Sequence, residues 1–280
     1  MYIKAYAKIN ISLDIIGKRE DGYHFLEMIM QSIDLYDLIK IDKCEQGINI
    51  YCNESSIPTD RGNLAYKAAE LFADTYKIGQ GLSISIEKNI PVSAGLAGGS
   101  SDAAAVLKGL SQTFGIHADD NKLKALGLKL GADVPYFITG GTAFCEGIGE
   151  ICTLLRPFKN KIVVLVKPDF KISTPEVYKK IDTVKVYRHP NTKSIIKAIN
   201  EDNLMYIGTH MVNVLENVTI RDYPVIENIK NEMVKEGSCG VLMSGSGPTV
   251  FGFFENMSAA QRCFNKMKKY YKEVFITQTI

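Results

Sequence analysis

Residues 91–105 read PVSAGLAGGSSDAAA, and no bulky side chain interrupts Ala97 to Ala105. Before this stretch, Gly81–Lys88 alternates Leu82, Ile84 and Ile86 with Ser83, Ser85 and Glu87, which predicts a strand. After it, Ala103, Val106, Leu107, Leu110 and Phe114 recur at helical spacing, so a helix is predicted over Asp102–Phe114, stopped by Gly115. Strand, bare loop and helix in that order suit an anion held by main chain. A helix N-terminus carries unpaired N–H groups and partial positive charge, and glycines let those groups close around a phosphate without Cβ clashes. The expected polyphosphate site therefore comprises Pro91, Val92, Ser93, Ala94, Gly95, Leu96, Ala97, Gly98, Gly99, Ser100 and Ser101. Ser100 and Ser101 add hydroxyls within reach of phosphate oxygens or a magnesium ion, and Ser101 is the candidate metal ligand. Gly95-Leu96-Ala97-Gly98 breaks the dinucleotide fingerprint at its second glycine, and no Gly-Lys-Ser/Thr completes a Walker loop. A tight turn whose small residues serve only helix–strand packing is the alternative.

A second chemical signal is Lys8. It lies among Ile9, Ile11, Leu13 and Ile15, an apolar strand where an ammonium needs a reason to be. Asp133 follows a helix expected to end at Gly131, and Val134-Pro135 predicts extended chain beyond it.

The elements around these residues mix strand and helix without regular βα alternation, which predicts an α+β fold. Strands are expected at Ser32–Ile41, Ile48–Cys52, Ile162–Val166, Val241–Met243, Thr249–Phe254 and Val274–Ile280, with a glycine-rich strand region up to Gly149. Helices are expected at Asn63–Tyr76, Asp120–Leu130, Pro175–Lys180, Thr192–Asn200, Met205–Val218, Val225–Glu236 and Ser258–Tyr271. The chain turns polar around Arg156–Lys161, a plausible boundary between domains at 1–157 and 158–280.

Thirty-three basic against 31 acidic residues give a net charge of +2, which argues against bulk nucleic-acid binding. No run approaches the roughly 18 apolar residues of a membrane span, and MYIKAYAKIN lacks the pattern of a signal peptide, so a cytoplasmic protein without a membrane partner is expected. The six cysteines form no C-x-x-C pair and suit free thiols in a reducing compartment.

Three segments together resemble the GHMP kinases, named for galactokinase, homoserine kinase, mevalonate kinase and phosphomevalonate kinase. They are Ala7-Lys8-Ile9-Asn10, the loop PVSAGLAGGSS, and Met243-Ser244-Gly245-Ser246-Gly247-Pro248-Thr249. AKINISLDIIGKREDGYH, the run from Gln31 to Asp37, and GADVPYF resemble the branch of that family whose substrate is a cytidine-diphosphate-linked methylerythritol. The likeness spans nearly the whole chain. It implies a two-domain GHMP kinase fold: an N-terminal domain like ribosomal protein S5 domain 2 and a ferredoxin-like C-terminal domain.

It further implies ATP and Mg2+ as cofactors, a small-molecule alcohol as substrate, and a monomer or weak homodimer. Asp133 would be the catalytic base, with Lys8 holding it ionised. Tyr23, His24 and Tyr178 would bind the cytosine, Asn10 would contact the hydroxylated chain, and Gly245 and Ser246 would close on nucleotide and substrate; for adenine, Asn63 is the candidate contact, with Lys88-Asn89 also bordering the loop. Ala97 stands where the family often has glycine, and is expected to be harmless if its φ is negative; Asp102 stands where Asn is common and is expected to point outward. The competing readings are a mevalonate or homoserine kinase, or a nucleotide sensor without chemistry.

Overall fold

The computed structural model describes residues 1–280. Its N-terminal half runs β1 (Tyr2–Lys18), β2 (His24–Cys44), β3 (Ile48–Cys52), α1 (Leu64–Tyr76), β4 (Gly81–Glu87), α2 (Gly98–Thr113), α3 (Asp120–Leu128), α4 (Val134–Thr139), β5 (Thr142–Glu146) and β6 (Ile151–Leu154). The remainder runs β7 (Ile162–Lys167), α5 (Thr174–Ile181), α6 (Thr192–Asn200), α7 (Leu204–His210), β8 (Val212–Asn213), α8 (Glu216–Asp222), α9 (Val225–Lys235), β9 (Gly240–Met243), β10 (Val250–Phe254), α10 (Met257–Met267) and β11 (Glu273–Gln278).

Two sheets carry the molecule. The larger has the order β3-β4-β2-β1-β8, with β5 and β6 joined to it through β2. The smaller has the order β11-β7-β10-β9, all antiparallel, which is the ferredoxin-like arrangement. β1 and β2 form a long antiparallel ribbon whose register shifts between Asn10 and Ser12 and again between Ile15 and Gly17. Such bulges bend a ribbon and re-aim its side chains.

Every residue from Ala7 to Asp14 is buried, because both faces of β1 are covered. One face, Ala7, Ile9 and Ile11, joins Val163 and Leu165 of β7 and Phe251 and Phe253 of β10 in a core shared by the two sheets. Each such side chain contributes about 1.5–3 kcal/mol by leaving water. Lys8 and Asn10 occupy the other face, and both open on a cleft.

Three expectations need correction. The helix expected at Met205–Val218 is broken at Met211 by β8, which pairs in parallel with Ser12 and Leu13. There the Asn213 amide is held by tertiary contacts that override local propensity. Val134-Pro135 does not extend the chain but opens α4, where a proline in the first turn lacks only an N–H that would have been unpaired. Finally, α2 begins at Gly98, four residues earlier than its apolar stripe suggests.

Candidate active site

A cleft of about 980 Å³ runs between the two halves of the chain. The bare loop forms one part of its wall. Gly98, Gly99 and Ser100 open α2, and their amides find no acceptor within the chain; the first helical bond is Ser101 N–H to the Ala97 carbonyl, at 3.0 Å. Pro91, Val92, Ser93, Ala94, Gly95, Ala97, Gly98, Gly99 and Ser100 all line the cleft, whereas Leu96 turns into the shared core.

Ala97, at the N-cap of α2, has φ +54°, so the condition under which alanine was expected to be harmless there is not met. The loop reaches this left-handed conformation with an L-residue, at a cost of about 1–2 kcal/mol. Gly95 at φ +76° has no such latitude: a Cβ there would lie 2.2 Å from the Ser244 carbonyl oxygen.

That close approach joins the loop to the second glycine turn, Ser244–Gly247. The Ser244 hydroxyl donates to the Gly95 carbonyl at 3.0 Å, and Thr249 N–H donates to the Ala94 carbonyl at 3.3 Å. Gly245 N–H donates to Asn10 Oδ1 at 3.1 Å, and the same oxygen accepts from Lys8 Nζ at 2.6 Å. Asn10, expected as a substrate contact, thus aims the lysine and anchors the second loop with its carbonyl, though it also lines the cleft. Asn213 holds the loop from behind, donating to the Met243 and Gly245 carbonyls at 2.9 and 2.7 Å.

Lys8 is only 4% exposed. Burial lowers its pKa below the usual 10.5, and the charge of Asp133 pulls the other way. Asp133 lines the same cleft at the N-cap of α4, yet its side chain makes no capping bond. Its carboxylate, with no hydrogen-bond donor from the chain, is left for an incoming group. Burial and then the Asp133 charge raise the pKa of the Tyr178 phenol, so that group stays neutral. Tyr23, His24, Tyr178, Gly245 and Ser246 also line the cleft. The rings of His24 and Tyr178 lie 5.5 Å apart, and the Ser246 hydroxyl meets Thr174 at 2.7 Å.

The metal-ligand assignment in the loop fails. Ser101 is turned away: its hydroxyl donates to the Tyr6 carbonyl at 2.7 Å and the residue is 2% exposed, so it is not placed to hold a metal ion. Ser100 takes its place at the cleft wall. No group of three or more His, Cys, Asp and Glu side chains is arranged to hold a metal. A divalent ion suits this site only as a companion of phosphate oxygens, with Ser100 and Asp133 among the cleft-lining residues that carry hard oxygen donors.

Asn63 also falls short as an adenine contact. It caps α1, accepting from Ala65 N–H at 2.9 Å and donating to the Pro58 carbonyl at 2.8 Å, so local structure engages both ends of its amide at the cleft edge.

Sequence reading placed Lys88 beside the loop but missed its ion pairs, and it misplaced Asp102. Asp102 does not point outward; it is 3% exposed and bonded to Lys88 Nζ at 2.6 Å. Lys88 Nζ also meets Asp37 at 2.5 Å, and Asp37 accepts the amides of Asn89 and Ile90. Burial opposes the Lys88 charge, but the two carboxylates outweigh it and raise its pKa. Burial pushes the Asp102 carboxyl up to about 7, Lys88 pulling it down and Asp37 adding to the rise. Both Lys88 and Asp102 border the phosphate loop in the cleft. The signal available was the Lys-Asn pair directly before the loop.

Free amides at a helix start, a second glycine turn locked to the first, and a buried lysine that feels the charge of an uncapped aspartate on the same cleft are the features of a small-molecule kinase of the GHMP type. The GHMP kinases N terminal domain model matches residues 63–141, and the GHMP kinases C terminal model matches residues 193–273. A protein of Clostridium beijerinckii called 4-diphosphocytidyl-2-C-methyl-D-erythritol kinase is 60% identical over 280 residues, all of both chains. A protein of the same name from Clostridium novyi is 57% identical over the same span.

Among solved structures, a 4-(cytidine 5'-diphospho)-2C-methyl-D-erythritol kinase superposes with a TM-score of 0.85 at 32% identity, covering 100% of this chain and 99% of the other. Homoserine kinase from Cytophaga hutchinsonii shares the fold alone, with a TM-score of 0.75 at 18% identity, over 99% of this chain and 95% of its own. The chain belongs to the GHMP kinases and, within them, to the family of the 4-diphosphocytidyl-2-C-methyl-D-erythritol kinases. No helix in it is long and apolar enough to cross a membrane.

Proposed function

We propose that the chain moves the γ-phosphoryl group of ATP to the 2-hydroxyl of 4-diphosphocytidyl-2-C-methyl-D-erythritol, giving the 2-phosphate and ADP, in the non-mevalonate route to isoprenoid precursors. The observation that carries this reading is the single cleft onto which Lys8, Asp133, the free amides of Gly98–Ser100 and the Tyr23–His24–Tyr178 group all open. The amides and the partial positive charge of α2 hold the phosphates of ATP. Asp133, unencumbered by capping, accepts the hydroxyl proton as the oxygen attacks phosphorus. The Lys8 ammonium, aimed by Asn10, offsets charge on the moving phosphoryl group. Mg2+ bound beside Ser100 would neutralise charge on the β- and γ-phosphates. The base slot distinguishes the substrate from mevalonate and homoserine, which have no ring to stack.

The test is a coupled assay for ADP with a panel of alcohol acceptors. ADP formation with the cytidine-linked acceptor, inhibited competitively by CDP, is expected. Preference for mevalonate or homoserine would overturn the reading, as would ATP binding with no ADP formed on any acceptor.

A further inference from the structure

Helix α5 presents Tyr178 and Asp182 four residues apart, on one face. Tyr178 is one wall of the base slot. Asp182, at the helix end, reaches across the cleft mouth to the ribbon that carries the other wall. One carboxylate oxygen accepts from His24 Nε2 at 2.6 Å, and the other takes Lys18 Nζ. Lys18 and His24 are register partners at the closed end of the β1–β2 ribbon, immediately flanking the turn that holds Tyr23. No other hydrogen bond joins α5 to this ribbon. The His24 side chain is 6% exposed, so its ring is set by what it touches.

Resting on the substrate reading above, we propose that Asp182 is a specificity-determining positioning residue: its carboxylate fixes the gap between Tyr178 and the Tyr23–His24 wall, and fixes which His24 nitrogen faces the base. An ionised carboxylate only accepts, so it keeps a proton on Nε2. In the neutral ring Nδ1 is then an acceptor, and it has no partner within the chain. An acceptor there suits the exocyclic amine of cytosine and repels the carbonyl that uracil carries at the same position. The bonds from His24 and then Lys18 hold the Asp182 carboxyl below its usual range, so the latch stays closed at neutral pH.

The experiment is steady-state kinetics of Asp182→Ala and Lys18→Ala, with the cytidine-linked acceptor and ATP each varied, and with CDP and UDP as competing inhibitors. For Asp182→Ala, KM for the acceptor should rise about 10-fold or more, as expected for a lost charge-assisted bond. KM for ATP should hold, kcat should fall less than about threefold, and the preference for CDP over UDP should narrow. Lys18→Ala, which leaves the His24 bond, should raise the acceptor KM by only about two- to threefold and keep the base preference. An active wild-type enzyme whose Asp182→Ala variant keeps both acceptor KM and base preference would overturn the inference. So would a loss that falls equally on both substrates and kcat and tracks a lowered melting temperature. Failure of the wild type to phosphorylate the cytidine-linked acceptor would instead overturn the substrate reading.

Discussion

A carboxylate at the start of a helix normally binds the backbone amides there, and Asp133 does not. That freedom suits it to the proposed role of base, and gives a direct expectation. Asp133→Ala should lower kcat by on the order of 10²–10⁴ and leave ATP affinity nearly unchanged, measured by pre-steady-state and binding assays. A loss under about threefold would reassign the base.

Asp102 makes a second residue-scale prediction. Its folded-state pKa of about 7 lies above the ordinary 3.8, so between those values the folded protein keeps a proton that the unfolded chain has lost. Stability from this group is therefore greatest at low pH, declines as pH rises from 3.8 to about 7, and then levels. Asp102→Asn, which leaves Lys88 paired with Asp37, should flatten the melting-temperature profile across that window; an unchanged slope would contradict it.

Residue type made some of this site legible and hid the rest. A lysine in an apolar strand and a run without bulky side chains are conspicuous in a sequence. Whether Ser100 or Ser101 faces the cleft depends on where α2 begins, and Gly98-Gly99-Ser100-Ser101 has no apolar stripe to mark that start. The early start turns Ser101 onto β1 and buries Asp102 against Lys88, a partner from the preceding strand that periodicity does not reveal.

At the scale of elements, the phosphate loop is held by its neighbour as much as by its own chain. Gly95 and Ser244 touch backbone to backbone, so Gly95→Ala should disrupt both loops, weakening ATP binding at least about 10-fold and lowering stability by more than 2 kcal/mol or so. Ala97 offers the opposite change. At φ +54°, Ala97→Gly should leave ATP binding intact and stabilise the fold by up to about 1 kcal/mol, read by urea unfolding. A destabilised Ala97→Gly variant would show that the methyl group contributes more by packing than its conformation costs. Strands with clean alternation, such as β4, were legible, because burial on one face writes itself into the sequence. The two-residue β8 was not: its place depends on β1, some two hundred residues earlier, and on Asn213 gripping a turn thirty residues later.

The whole molecule is stitched across its halves. β8, from the later half, extends the larger sheet; Ile280 N–H donates to the Ser32 carbonyl, and Gln31 donates to the Ile280 carbonyl. The core shared by β1, β7 and β10 adds an apolar seam. The full chain should therefore melt as one cooperative unit, with calorimetric and van't Hoff enthalpies in agreement. Two separated transitions would show that the halves are independent.

The Ser32–Ile280 bonds also set an order of events on the ribosome. β1 is made early, but its parallel partner follows only with residues 212–213, and Ser32 on β2 gains the Ile280 amide only once residue 280 is made. At roughly 5–20 residues per second, the Ser12–Leu13 edge of β1 stays unpaired for much of synthesis, available to chaperones and proteases. Chains stalled before residue 212 should thus be cut readily near Ser12 and Leu13, and synthesis well past residue 213 should end that susceptibility.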